Sequence, residues 1–185
     1  MMNFMVFLQL IKKSKMKKFI LVAMVMFVFG FANAQEAKFG VMTGVDFATA
    51  RVTASGNSAS QSETGFYLGV LVDITASEKF HIQPELVLVF IKDSKQLQLP
   101  ILAKIFVAKQ LSLLLGPDVL FDLDSNTAGT KNVGVGFDFG GAYDINKNFS
   151  IEAKYNLGMT NLIKNAPSGV NGKISGLFVG LGYKF

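Results

Sequence analysis

Leu177-Phe178-Val179-Gly180-Leu181-Gly182-Tyr183-Lys184-Phe185, at the carboxy-terminus, is the stretch that decides the fold. Leu177, Val179, Leu181, Tyr183 and Phe185 place a large apolar side chain at every second position. Between them, Gly180, Gly182 and Lys184 are small or charged. A period of two is the signature of a strand with one apolar face. An exposed terminal Phe on such a strand is rare in a protein surrounded by water. It is ordinary in the closing strand of a bacterial outer-membrane barrel, which ends at the periplasmic rim. The expectation is a transmembrane β-barrel.

Seven upstream segments alternate in the same way, which gives eight strands in all: residues 38–48, 64–74, 80–91, 97–106, 111–121, 133–143, 149–162 and 173–185. Tilted membrane strands need about 9–11 residues, and eight is the smallest common even strand number. The outward faces carry Phe39, Val41, Phe66, Leu68, Leu86, Leu99, Leu113, Val135 and Ile151, with no charged residue among them. The opposite faces carry Asp46, Asp73, His81, Gln83, Glu85, Gln98, Lys104, Asp118, Asp138, Glu152, Lys154 and Lys184. Most glycines, Gly44, Gly116, Gly140 and Gly180 among them, share that inward side, where a narrow barrel has little room. With both termini periplasmic, the outward aromatics form two girdles. Phe39, Phe80, Tyr143, Phe149, Tyr183 and Phe185 lie at the turn end, and Phe47, Phe66, Phe90 and Phe121 at the loop end. The periplasmic turns are 75–79, 107–110 and 144–148; the outer loops are 49–63, 92–96, 122–132 and 163–172. The first outer loop is rich in Ser, Ala, Thr and Gly and is expected to be mobile.

Residues 1–34 read as a cleaved signal peptide. Met16-Lys17-Lys18 is a basic start, Phe19 to Phe31 an apolar run, and Ala32-Asn33-Ala34 a cleavage site. The apolar run is shorter than the roughly 20 residues of a spanning helix. Met16 is the expected start codon, because a complete signal follows it. Five lysines (12, 13, 15, 17 and 18) precede Ala34, so 18 − 5 = 13 basic residues remain against 13 acidic ones. The excess charge of +5 thus belongs to the targeting segment, and the domain 35–185 has no nucleic-acid footprint. The absence of cysteine excludes a disulfide framework, thiolate metal sites and a lipidated Cys anchor.

His81-Ile82-Gln83-Pro84-Glu85-Leu86, Leu99-Pro100-Ile101-Leu102-Ala103-Lys104, Leu115-Gly116-Pro117 and Glu152-Ala153-Lys154-Tyr155-Asn156-Leu157-Gly158-Met159-Thr160-Asn161 follow one another in that order. In these, the chain from Phe39 to Phe185 resembles the PorT-like outer-membrane β-barrel domain common in Bacteroidota. The resemblance implies a small outer-membrane, porin-family protein; some relatives serve a secretion system. The chain departs from the pattern at Ile105, where a tyrosine would follow the lysine.

Counting outward from each turn pairs Asp73 with His81, Glu85 with Lys104, Asp138 with Lys154 and Glu152 with Lys184. This describes a lumen filled and stitched by salt bridges; the rival reading is a gated ion path. His81, the only histidine, sits at the periplasmic end with no evident nucleophile beside it, which disfavours a lipid-modifying enzyme. Gly134-Val135-Gly136 with Gly140 lacks nucleotide-loop spacing and reads as strand packing. Asp122, Asp124, Ser125 and Asn126 could hold a cation, and Arg51 could meet lipid phosphate. The expectation is an all-β, eight-stranded, antiparallel up-and-down barrel in the outer membrane, with no catalytic, cofactor or metal residues. Its expected partners are outer-membrane lipid, the barrel-insertion machinery acting on the strand that ends in Phe185, and a protein at the outer loops. A small channel or secretion component is the alternative.

Overall fold

Strands with one apolar and one polar face can hide their polar side chains from a greasy surrounding only by rolling into a cylinder. The computed structural model describes residues 37–92, 94–124 and 129–185, so the signal segment 1–34 lies outside the described residues. Lys38 to Phe185 form one contact unit. Eight strands follow in chain order: β1 (Ala37–Ala54), β2 (Asn57–Ser77), β3 (Phe80–Ile91), β4 (Ser94–Phe106), β5 (Leu111–Asp122), β6 (Val133–Asp144), β7 (Phe149–Gly158) and β8 (Asn171–Lys184). Each pairs with its neighbours and β8 returns to β1, so the sheet is a closed barrel.

The β1–β8 seam runs from Gly40 facing Lys184 to Thr53 facing Asn171, all antiparallel. At the rim, Phe185 N donates to Phe39 O at 2.8 Å and Lys184 N to Asn148 O at 2.7 Å. The strand that decided the fold is thus the strand that closes it. Closure removes both sheet edges, whose unpaired N–H and C=O groups would be intolerable in lipid.

The exterior is apolar, as the alternation requires. Val41, Val45, Leu68, Val70, Leu113, Val135 and Leu181 all lie exposed on it. Rings gather at both ends of this band. Tyr183 packs edge-on against Phe149 (4.8 Å) and Phe185 (5.4 Å) at the turn end, and Phe66 stacks on Phe90 (4.9 Å) at the loop end.

Several element boundaries depart from the sequence expectation; β2, for one, runs on to Ser77, into the expected turn 75–79. Residues 49–63 are an extended hairpin rather than a mobile loop: β1 and β2 continue past the aromatic ring to a turn at Ser55 (φ 49°) and Gly56 (φ 83°). Two successive positive φ values suit a tight primed hairpin turn. Hydroxyl pairs Thr49–Ser62 (2.9 Å) and Thr53–Ser58 (3.1 Å) cross the hairpin. The apolar alternation ends at the membrane boundary while the hydrogen-bond ladder continues, so periodicity could not reveal it. On the next outer connection, Ser94 already faces Ile91, leaving a tight turn. β7 stops at Gly158 rather than residue 162, and Asn161 instead ties the following loop, accepting from Gly172 N (2.9 Å) and Ile163 N (3.1 Å).

The barrel is narrow enough for a ring to lie directly on backbone. A Cβ on Gly180 would come within 2.1 Å of the Tyr67 hydroxyl, and one on Gly44 within 2.8 Å of the Tyr67 ring. Those two glycines are the bed on which Tyr67 spans the lumen.

The seam has a direct check, because the chain contains no native cysteine. Val45 faces Val179 across β1 and β8. Val45→Cys with Val179→Cys should form a disulfide on oxidation of the folded protein, seen as a reducible mobility change on a denaturing gel. Val45→Cys with Tyr183→Cys should not. Failure of the first pair to close would contradict the seam and its register.

Candidate functional site

The twelve polar residues assigned to the inward face all point into the lumen. Only His81 is partly exposed; the other eleven are buried. Alternation reveals which face a residue occupies, but not which neighbour it meets.

At the turn end, two carboxylates and two lysines alternate. Asp73 (β2) takes His81 Nδ1 (β3) at 2.5 Å and Lys184 Nζ (β8) at 3.1 Å, with Lys104 Nζ (β4) at 3.6 Å. Asp144 (β6) takes Lys104 at 3.2 Å and Lys184 at 3.4 Å. Lys104 is completely buried and also stands 5.1 Å over the Phe106 ring. The network joins five of the eight strands. Below it, on the turn side of the barrel, opens a funnel of about 790 Å³ lined by Thr75, Phe106, Gln110 and Asn146 among others.

At mid-lumen, Lys154 (β7) forms an ion pair with Glu85 (β3) straight across the barrel. Gln83 Nε2 donates to Glu85 (2.8 Å) and to Glu152 (3.4 Å). Toward the loop end, Asn156 Nδ2 bridges Asp118 (2.9 Å) and Asp138 (2.5 Å), and Leu99 N donates to Asp118 at 3.1 Å. Part of the lumen wall is apolar: Met42, Tyr67, Leu71, Val87, Val89 and Phe178 pack together on β1, β2, β3 and β8, and Leu102, Leu114 and Ala142 form a second cluster on β4, β5 and β6.

Of the four pairs expected from turn counting, the Asp73–His81 contact forms; the other three do not. Glu85 meets Lys154 and not Lys104, because the tight turn after β3 sets Lys104 opposite His81. Asp138 faces Asn156, since Lys154 lies opposite Gly140. Glu152 faces Gly180, while Lys184 reaches Asp73 and Asp144. Even Asp73–His81 is diagonal, as Thr75 is the residue facing His81. A register change of two or four residues keeps every side chain on its face but changes its neighbour. In so narrow a lumen, side chains also reach strands that are not adjacent.

The sequence reading left out Tyr67, Asp144, Asn156 and the apolar wall. Asn156 lay within view, since it alternates in phase with Glu152 and Lys154. The apolar wall was hidden by runs such as Leu113-Leu114-Leu115, in which both faces are greasy. In the third outer connection, Asp122 Oδ1 accepts Asp124 N (2.9 Å) and Asp124 Oδ2 accepts Lys95 N (2.6 Å); Ser125 and Asn126 lie outside the described residues. Those two carboxylates hold backbone N–H groups, Asp122 within the connection itself and Asp124 on β4. Among the described residues, no group of three or more His, Asp or Glu side chains forms a metal cluster.

No protein-family model matches the chain, and no curated protein matches it. Solved structures do match. Neisserial surface protein A aligns over 81% of this chain and 99% of its own, at 18% identity and a TM-score of 0.51. A de novo designed transmembrane β-barrel aligns over 80% and 95%, at 11% identity and 0.50. The fold is that of small transmembrane β-barrels. Ail of Yersinia pestis also aligns, over 81% and 99% at 16% identity, with a TM-score of 0.47.

The cross-lumen pair can be separated from the turn-counted one by double-mutant cycles. Lys154→Met should leave Glu85 buried and unpaired, costing about 3–5 kcal/mol. Glu85→Gln with Lys154→Met should recover much of that loss. Glu85→Gln with Lys104→Met should be additive within about 0.5 kcal/mol. Urea unfolding of the folded barrel in micelles reads all three; coupling in the second pair and not the first would reverse the assignment.

Proposed function

We propose that this chain is an integral outer-membrane protein of a Gram-negative bacterium that works without catalysis. Segment 1–34 directs its export, and residues 35–185 belong with the PorT-like barrels that the sequence resembles. The last strand is the segment the insertion machinery engages. In the membrane the barrel supports the envelope and presents its outer hairpins to a partner. The observation that carries this reading is the filled lumen beneath an apolar exterior. Tyr67, Leu71, Leu102, Lys104, Leu114, Gln83 and Val89 are all fully buried inside the cylinder. An eight-stranded barrel has an interior just wide enough for its side chains. The extended β1–β2 hairpin supports a role in contact. It projects Arg51, Ser58, Ser60 and Gln61, all exposed, beyond the aromatic ring.

A second reading, a small gated channel, is favoured by the turn-end funnel, whose floor is the ring of Asp73, Asp144 and Lys184. That funnel narrows onto buried side chains. His81 has its Nδ1 turned to Asp73 beside two lysines, which suits an ion network better than general-base work.

Planar-bilayer recording on the folded protein separates the readings. The expected result is an electrically silent membrane, with insertion verified by heat-modifiable gel migration. Steady, reproducible unitary conductance would overturn the filled-lumen reading and make the charged interior a selectivity filter.

A further inference from the structure

Where β1 and β8 rise past the aromatic ring, two cations stand directly opposite one another. Arg51 on β1 faces Lys173 on β8, and both are exposed. Arg51 is the only arginine in the chain. Like charges set opposite each other on antiparallel strands destabilise the pair. The barrel supplies nothing on that face to offset the cost. The acids of these strands and of the neighbouring β2 are Asp46, Glu63 and Asp73, and all three alternate to the other face. Glu63 is met there by Gln61 Nε2 at 3.1 Å. Among the described residues, neither Arg51 nor Lys173 has an ion pair or a side-chain hydrogen bond.

The rungs on either side are neutral and rich in hydroxyls. Across the seam, Thr49 faces Ser175 and Thr53 faces Asn171. Across the hairpin, Thr49 meets Ser62 and Thr53 meets Ser58, which leaves Ser60 opposite Arg51. Three strands thus present a polar sheet with two cations at its centre. One rung below Thr49 and Ser175 stand Phe47 and Leu177, opposed and exposed, the last apolar pair of this seam. Four residues of tilted strand raise Arg51 about 10 Å above Phe47. From there a long cationic side chain can lean back to the headgroup layer.

We propose that Arg51 and Lys173 together bind a phosphate group of a membrane glycolipid in the outer leaflet. The inference rests on the outer-membrane reading above and names the partner of the outer hairpin. A phosphate between the two cations replaces their repulsion by two attractions. The guanidinium fork takes two of its oxygens and the ammonium a third. The sugar lies against the hydroxyls of the flanking rungs. The acyl chains run down the apolar seam below, over Phe47 and Leu177 and then Val45 and Val179. A free phosphate would use only the cations, and an ordinary hydrocarbon tail only the seam. A phosphorylated, acylated sugar uses all three surfaces.

The test titrates dye-labelled diphosphoryl lipid A into the folded full barrel in neutral amine-oxide micelles, which carry no phosphate. Fluorescence anisotropy reads binding, and thermal unfolding without lipid reads stability. The expected result is saturable binding that Arg51→Gln with Lys173→Gln weakens by about tenfold or more. Lys92→Gln with Lys95→Gln, which removes the same charge at the β3–β4 turn, should leave the affinity unchanged. The Arg51, Lys173 double variant should unfold no earlier than the unmodified protein, because it relieves an opposed like pair. Absence of binding by the unmodified barrel overturns the proposal, as does equal loss with the two lysine pairs. Equal affinity for dephosphorylated lipid A, for phosphatidylglycerol or for inorganic phosphate overturns it too. A lowered midpoint in the double variant would mean that the cations are paired within the protein and would count equally against it. Cell fractionation tests the outer-membrane reading separately: a chain found elsewhere ends that reading, whereas an outer-membrane barrel that does not bind ends this inference alone.

Discussion

A backbone surrounded by hydrocarbon has no water to fall back on, so every N–H and C=O must be met by another part of the same chain. In this protein the pairing of β8 with β1 meets that requirement. Opening the seam would expose a row of donors and acceptors from Gly40 to Thr53 on one strand and from Asn171 to Lys184 on the other. The cylinder that closure imposes then dictates the rest. Its outer surface must be apolar, so the charge that a soluble protein would display is turned inward.

Inward charge in a narrow tube is a packing problem as well as an electrostatic one. Glycines such as Gly44 and Gly180 leave the space into which Tyr67 lies flat. Apolar side chains such as Met42, Leu71, Val87, Val89 and Phe178 share the lumen with the polar layers. Ionic contacts then join strands far apart in sequence: Glu85 with Lys154, and Asp73 with Lys184. Such contacts make the cylinder a single cooperative object rather than a rolled ladder of independent hairpins.

Much of this was legible in the residues because a period of two has only two answers, in or out. Strand β3 begins and ends where alternation places it, at Phe80 and Ile91. Glu85, Lys104 and Asp138 are all inward, as read. Their neighbours were not legible. Register depends on turn geometry, and the tight connection between Ile91 and Ser94 shifts Lys104 away from Glu85. The outer hairpin was missed for a related reason. Beyond Phe47 the chain leaves the apolar band, and Thr, Ser and Asn continue the strand without any greasy rhythm.

The claim on which everything rests is that the alternating faces look onto lipid and onto a closed lumen respectively. The chain contains no tryptophan, so a single introduced indole reports without background. Leu68 is exposed on the exterior and Tyr67, its neighbour on β2, is buried in the lumen. The decisive measurement is fluorescence quenching of Leu68→Trp and of Tyr67→Trp in vesicles whose acyl chains carry bromine at mid-depth. Strong quenching of the first and little of the second is the predicted result. Equal quenching of both, or none of the first, would contradict the account.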